Sequence, residues 1–301
     1  MRGGPLLTRV RNRAERLRQR RWRMAAYVSG ERHIIMGGAP RSGTTLLRRI
    51  FDRHPAITAG AESKLFVPAA FNLEWLAESY AIPLAELSSM REASRSQAAF
   101  IDAFAARVRT QTGKSRWAEK TPMNIRNLDW IGEHVPAASV VHIIRDGRDV
   151  VCSMRQHPDW RWKDGGWEKV LVPRPVETYA QRWVTDTAMG MAWRDRSTYV
   201  EVRYEDLVTD PEPVLRSICQ SIGVEVDPTW LAEVTRASDG VEGGGRPDDK
   251  GALSTISMGR WRLDLTSDEV LAVTRVGGRR LAELGYAIDE SPASAPAAPR
   301  D

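Results

Sequence analysis

The stretch "HIIMGGAPRSGTTLL", residues 33–47, constrains the fold more than any other part of the chain. Its short apolar run ends in glycines, which suits a buried strand entering a loop. Leu46, Leu47, Ile50 and Phe51 then fall on one helical face, so the loop lies between a strand and a helix N-terminus. Gly38 and Gly43 have the G-x-x-x-x-G spacing of a phosphate-binding loop. Such a turn lets backbone N–H groups converge on an anion, and the helix N-terminus adds positive potential. Arg41, Ser42, Thr44 and Thr45 add side-chain donors around Gly43. ATP-using loops carry a lysine that cancels charge on the β- and γ-phosphates, then a hydroxyl that binds magnesium. Here Thr44 stands where that lysine would be, and no acidic strand-end partner for magnesium is evident. The cradle is kept and the parts specific to triphosphates are dropped.

The rest of the chain alternates strand and helix patterns. "SVVHIIRDGRDVVCSMR" (139–155) repeats the opening design: an apolar strand to Ile144, a charged turn, and a helix from Val150. "TYVEVRYEDL" (198–207) is a third strand candidate that changes element near Tyr204. Residues 73–109 read as helices broken near Pro83, and "WAEKTPMNI" (117–125) as a structured, partly buried turn. Asp210 is expected to cap a helix opened by Pro211, and Thr266 to Glu269 form a capping box for a helix ending at Gly285. This alternation predicts an α/β fold with a mainly parallel β-sheet flanked by helices. Ligands in such folds sit beyond the C-terminal ends of the strands. The first loop and the "RDGRD" turn share that edge, where Arg145 and Ser153 could converge on one phosphate.

With 301 residues and 42% hydrophobic content the chain can bury one large core, and no linker divides its middle. The expected organisation is a basic arm (1–29), one domain (30–288) and a Pro/Ala/Ser-rich disordered tail (289–301). Eight arginines crowd residues 9–23. They could touch an anionic surface weakly, although a solvated extension or helix is the plainer reading. Nucleic acid is not expected as a partner, and a homodimer is compatible with the sequence. Cys152 and Cys219 lie in apolar runs, which predicts buried thiols rather than a disulfide. With no signal-like or membrane-spanning run, a cytoplasmic location is expected.

"PRSGTTLL" after a strand, followed about 100 residues later by "HIIRDGRDVVCSMR", resembles the PAPS-dependent sulfotransferase superfamily. PAPS is 3′-phosphoadenosine-5′-phosphosulfate. The resemblance runs from about His33 to Tyr286 and implies a P-loop-like sulfotransferase fold. It implies that the first loop, with Arg41, Ser42, Gly43, Thr44 and Thr45, holds the 5′-phosphosulfate, while Arg145 and Ser153 hold the 3′-phosphate. Glu62, in "TAGAESKLF", falls where tyrosylprotein sulfotransferases carry a glutamate that accepts the acceptor's proton, and Lys64 then lies near the acceptor. Lys120 matches a lysine that bonds the bridging or sulfuryl oxygen. Tyr204 matches a tyrosine on the adenine side, and Arg260, in "SMGRW", matches a phosphate contact. The glycines at 243–245 suggest a lid. The upstream serine of the tyrosylprotein enzymes would fall near Gly245, so Ser254 or Ser257 substitutes for it or the contact is lost. A histidine base is the rival, but His142 reads as a core residue and His54 as a turn residue. No metal is implied.

The acceptor is less legible. "HPDWRWKDGGWEKVLVPRP" (157–175) reads as a loop in which Trp160, Trp162 and Trp167 either stack on a sugar or apolar acceptor or pack onto the core. The resemblance implies sulfuryl transfer from PAPS, releasing adenosine 3′,5′-bisphosphate; with no disulfide pairing and no signal-like run, a hydroxyl of a small-molecule or carbohydrate acceptor is expected. The alternatives are a P-loop kinase or NTPase, a protein-tyrosine sulfotransferase, and a non-enzymatic basic anion-binding adaptor.

Overall fold

A computed structural model describes residues 17–163, 166–236 and 253–288. Its centre is a five-stranded, all-parallel sheet in the order β2-β3-β1-β4-β7. The strands are β1 (Ile34–Gly37), β2 (Ile57–Thr58), β3 (Arg116–Lys120), β4 (Ser139–Ile144) and β7 (Tyr199–Arg203). β1 and β4 are buried along their whole length, as continuous apolar runs in a two-sided parallel sheet should be. β1 lies between β3 and β4, with Met36 opposite both Lys120 and Val141. The chain leaves β1 toward one side of the sheet and later crosses to the other, so the loops after β1 and β4 open side by side at the strands' C-terminal edge.

Helices cover both faces. α1 (Thr44–Asp52) follows β1. α2 (Leu73–Tyr80), α3 (Leu84–Ala93) and α4 (Gln97–Thr112) precede β3, and α5 (Leu128–His134) precedes β4. α6 (Gly147–Arg155) follows β4, and α7 (Val176–Met191) leads into β7. α8 (Tyr204–Thr209), α9 (Pro211–Ile222), α10 (Pro228–Arg236), α11 (Trp261–Asp264) and α12 (Ser267–Glu283) complete the described chain. The break near Pro83 separates α2 from α3, and the Thr266–Glu269 capping box opens α12. Asp210 occupies the N-cap of α9 without a side-chain cap bond. Among the described residues no helix is long and apolar enough to cross a membrane.

Three local expectations are corrected. Residues 116–120 are a parallel strand, not a turn, so Lys120 ends a strand at the ligand edge. Helix α6 begins at Gly147 rather than Val150, because Asp146 caps it by accepting from the Arg148 N–H. The tryptophan-rich segment is an antiparallel hairpin of β5 (Asp159–Lys163) and β6 (Gly166–Val170), with Trp162 opposite Trp167. The tryptophan side chains at 160, 162 and 167 lie outside the described residues, as do the glycines at 243–245, residues 1–16 and the tail from 289.

Of the basic arm, residues 17–29 are described, and they dock on the domain. Trp22 is buried and its indole N–H donates to the Ser94 carbonyl at 3.0 Å. The Arg23 guanidinium lies 4.2 Å from the Trp130 ring centroid, and burial lowers its pKa to about 10. Cys152 and Cys219 are buried free thiols, and burial raises their pKa values to about 12 and about 11. His142 is fully buried with Nδ1 2.6 Å from the Tyr199 hydroxyl, and His54 bonds the Glu225 carbonyl from the turn after α1.

Candidate active site

The first loop takes its shape from two residues in left-handed backbone, Arg41 (φ 73°) and Gly43 (φ 98°). At Gly43 a side chain would be excluded twice. The backbone is one L-residues rarely adopt, and a Cβ would stand 2.5 Å from the Tyr204 ring. Gly38 lets the loop pass against β4, since a Cβ there would meet the Ile143 carbonyl at 2.4 Å. The N-terminus of α1 has no side-chain cap, so its first N–H groups are left for an anion. Ser42 and Thr44 are buried in this turn, and Arg41 and Thr45 are exposed at its mouth.

The second loop meets the first. Arg41 Nε donates to Ser153 Oγ at 3.0 Å, and Arg145 Nη1 donates to the Arg41 carbonyl at 3.2 Å. Arg145 also donates to the Ser257 carbonyl and lies 4.7 Å from the Tyr204 ring centroid. Arg145 is thus held by carbonyls and an aromatic face. Its nearest carboxylate, Asp149, is 3.7 Å away and serves other donors. Asp149 accepts from the Gly259 and Trp261 N–H groups at 2.8 and 3.0 Å, tying the 257–261 segment to α6. Burial raises the Asp149 pKa against the pull of Arg145. Arg148 pairs with Asp146 at 2.7 Å and stacks on Trp261 at 3.9 Å. The "RDGRD" turn therefore does carry local ion pairs, but they are buried and they frame Arg145.

On the other side of β1, the cation missing from the loop arrives from β3. Lys120 Nζ lies 3.4 Å from Thr45 Oγ1 and 2.6 Å from Glu62 Oε1. Lys120 is buried while Glu62 keeps 35% of its side-chain surface. Lys64, also in left-handed backbone (φ 58°), places its ammonium 4.3 Å from the Trp75 ring centroid. The Trp75 indole N–H donates to the Glu62 carbonyl at 2.7 Å.

Sequence reasoning therefore named residues that the fold does bring together: Arg41, Ser42, Gly43, Thr44, Thr45, Lys120, Glu62, Arg145, Ser153 and Tyr204. Arg260 is turned to Asp264 at 2.6 Å and Gln156 at 3.3 Å. Ser254 caps the turn at 255–257, whereas Ser257 reaches Arg145 and Tyr204. Three participants were missed: Glu119, Asp149 and Trp75. Asp149 sits in the quoted turn, four residues after Arg145, and that i,i+4 spacing was the available signal.

Among the buried polar atoms of the two loops, Ser42 Oγ, Arg145 Nε and Arg148 Nη1 have no protein partner. Buried polar groups are normally hydrogen-bonded, and oxyanions of a bound ligand are partners that would suit such donors. The site thus joins a parallel sheet edge, an uncapped helix N-terminus, arginines from two loops and a strand-borne lysine beside a carboxylate.

The family model described as "Sulfotransferase family" matches residues 33–228, more than half of the chain. The chain belongs to the sulfotransferase family. It is 32% identical over 202 residues to a protein-tyrosine sulfotransferase of Drosophila melanogaster, covering 64% of this chain and 38% of that protein. It is 29% identical over 286 residues to the nodulation protein NoeE of Sinorhizobium fredii, covering 83% and 64% of the two chains. The match thus spans less than two thirds of either relative's length. The fold resembles the sulfotransferase domain of the Synechococcus PCC 7002 olefin synthase (TM-score 0.55, 19% identity, covering 84% and 97%). It also resembles mouse sulfotransferase SULT7A1 complexed with PAP (TM-score 0.53, 14% identity, covering 85% and 86%).

Proposed function

We propose that this chain transfers a sulfuryl group from PAPS to a hydroxyl of a small-molecule or carbohydrate acceptor and releases adenosine 3′,5′-bisphosphate (PAP). The observation that carries the reading is the junction of the two loops, with Arg41 bonded to Ser153 and Arg145 bonded to Arg41. The PAP in the complex of the structurally similar mouse enzyme supports the choice of donor. In this reading Arg145 and Ser153 hold the 3′-phosphate and Tyr204 lies against the adenine. Ser42, Gly43, Thr44, Thr45 and the start of α1 hold the 5′-phosphosulfate. Arg260 approaches phosphate only by leaving Asp264.

Sulfuryl transfer moves a neutral SO3 unit in line from phosphate oxygen to acceptor oxygen, and negative charge grows on the departing phosphate. Lys120, beside Thr45, is positioned to oppose that charge. Glu62 takes the acceptor's proton as its oxygen attacks, a contribution of roughly 10^2–10^4-fold for general bases. Lys64 meets the acceptor, and the Trp160 and Trp162 side chains proposed to join it lie outside the described residues. The arm at residues 9–23 has no part in this chemistry.

The protein-tyrosine sulfotransferase among the relatives favours a second acceptor, a tyrosine phenol. A screen with 35S-labelled PAPS over sugars, small alcohols and phenols, and tyrosine peptides decides between them. Label on sugars or small hydroxyl compounds alone supports the first reading, and label on peptides alone replaces it. A chain that consumes ATP with magnesium but no PAPS would be a kinase or NTPase.

A further inference from the structure

The geometry points to Glu119 as a positioning residue that sets the Glu62–Lys120 pair through a buried hydrogen-bond hub. This inference rests on the sulfuryl-transfer reading above. Glu119 is fully buried in β3, opposite Ile35 of β1 and one residue before Lys120. A carboxylate there would be expensive unless several donors met it. Four do. Glu119 Oε1 accepts from the Ser63 N–H at 3.2 Å, the Ser63 hydroxyl at 2.8 Å and the Thr121 hydroxyl at 2.6 Å. Glu119 Oε2 accepts from the Asn124 amide. Burial raises the Glu119 pKa, and the bonds from Thr121, Asn124 and Ser63 oppose that shift.

Each donor is tied to a different part of the site. Ser63 follows Glu62 directly. Thr121 follows Lys120, and its hydroxyl also accepts from the Lys64 N–H at 3.2 Å, holding a non-glycine residue in left-handed backbone. The Asn124 amide donates a second bond to the Met36 carbonyl at 3.1 Å, on the strand that feeds the first loop. One side chain thus fixes the loop with the carboxylate, the strand end with the lysine, and the strand behind the phosphate cradle. A hub of this kind keeps Glu62 and Lys120 in register at 2.6 Å.

Glu119→Gln keeps the shape but replaces one oxygen by an amide donor. Either the Ser63–Thr121 side or Asn124 then faces donor against donor. Hydrogen exchange on the full chain should give Ser63 and Lys64 amides opening at least about tenfold faster in this variant, with β4 amides unchanged. Unchanged protection at 63 and 64 overturns the inference. Turnover is read with 35S-PAPS and 2-naphthol as a generic hydroxyl acceptor, counting transfer to water alongside. Glu119→Gln should lower kcat about 10–100-fold, with KM for PAPS within about threefold. The milder Ser63→Ala should lower it in the same sense.

The deciding comparison repeats Glu119→Gln in a Glu62→Gln background. There its effect should shrink to under about threefold, because a residue acting through Glu62 has nothing left to position. An equal loss in both backgrounds, or a lowered Tm with unchanged kcat per folded molecule, would make Glu119 merely structural. A wild-type chain that neither binds PAP nor consumes PAPS would defeat the transfer reading instead. The amide exchange would still decide whether Glu119 holds the loop.

Discussion

The two sides of β1 handle charge differently. On the β4 side, Arg145 is held by the carbonyls of Arg41 and Ser257 and by the Tyr204 face, while Asp149 is occupied by backbone donors. Its charge is positioned without being consumed. On the β3 side, Lys120 is paired directly with Glu62 at 2.6 Å. A cation held mainly by carbonyls and a ring, with its nearest carboxylate 3.7 Å off and bonded to backbone donors, is prepared to bind an anion. A cation paired with a carboxylate has part of its charge already answered within the protein. In the proposed reading, binding and chemistry fall on opposite sides of β1.

The largest effect expected from breaking this division is at Lys120. Lys120→Ala should lower turnover roughly 10^2–10^3-fold, the usual cost of removing one transition-state donor. PAP affinity, measured by calorimetry, should change by no more than about threefold. An equal fall in affinity would put Lys120 on the binding side and erase the distinction.

Acid sharpens the comparison, because His142 lies in β4 on the binding side. Burial lowers its pKa from 6.5 to about 4. The native state therefore refuses a proton that the unfolded chain accepts below about pH 6.5. Stability present above that pH is lost on acidification toward pH 4, by ~2 kcal/mol at pH 5. Urea unfolding at pH 7 and pH 5 measures the difference. His142→Gln should flatten it, and an unchanged slope would assign the loss to other groups.

The smallest effect is expected at Trp75. Trp75→Phe removes the bond to the Glu62 carbonyl but keeps an aromatic ring under Lys64. Turnover should fall by about 1 kcal/mol in barrier, with PAP affinity unchanged. Wild-type kinetics would mean that the hub beneath Ser63 holds the Glu62 loop alone.

What the sequence made legible follows the same line. The binding side was readable because its signals are local: an apolar strand, glycines at fixed spacing, then a helix, twice over. The β3 side was harder. Arg116–Lys120 carries a buried carboxylate and a buried ammonium, which violates every apolar or alternating strand pattern. Glu119 is explained by Ser63, distant in sequence, acting together with its near neighbours Thr121 and Asn124. β2 has two residues and no pattern to detect. The hairpin at 159–170 has a sequence signal in the alternation on both sides of "DGG", but three tryptophans so close together fit ligand stacking equally well. The docked half of the arm depended on Trp22 finding Ser94, which no arginine count reveals.

Calorimetry with PAP and with its counterpart lacking the 3′-phosphate, on wild type and Arg145→Ala, bears most directly on the binding side. Wild type should bind PAP more tightly than the dephosphorylated nucleotide. Arg145→Ala should lose roughly 10–100-fold for PAP and under about threefold for the counterpart. No heat from PAP in the wild type, or equal losses for both nucleotides, would mean that the arginine beside the first loop reads no 3′-phosphate.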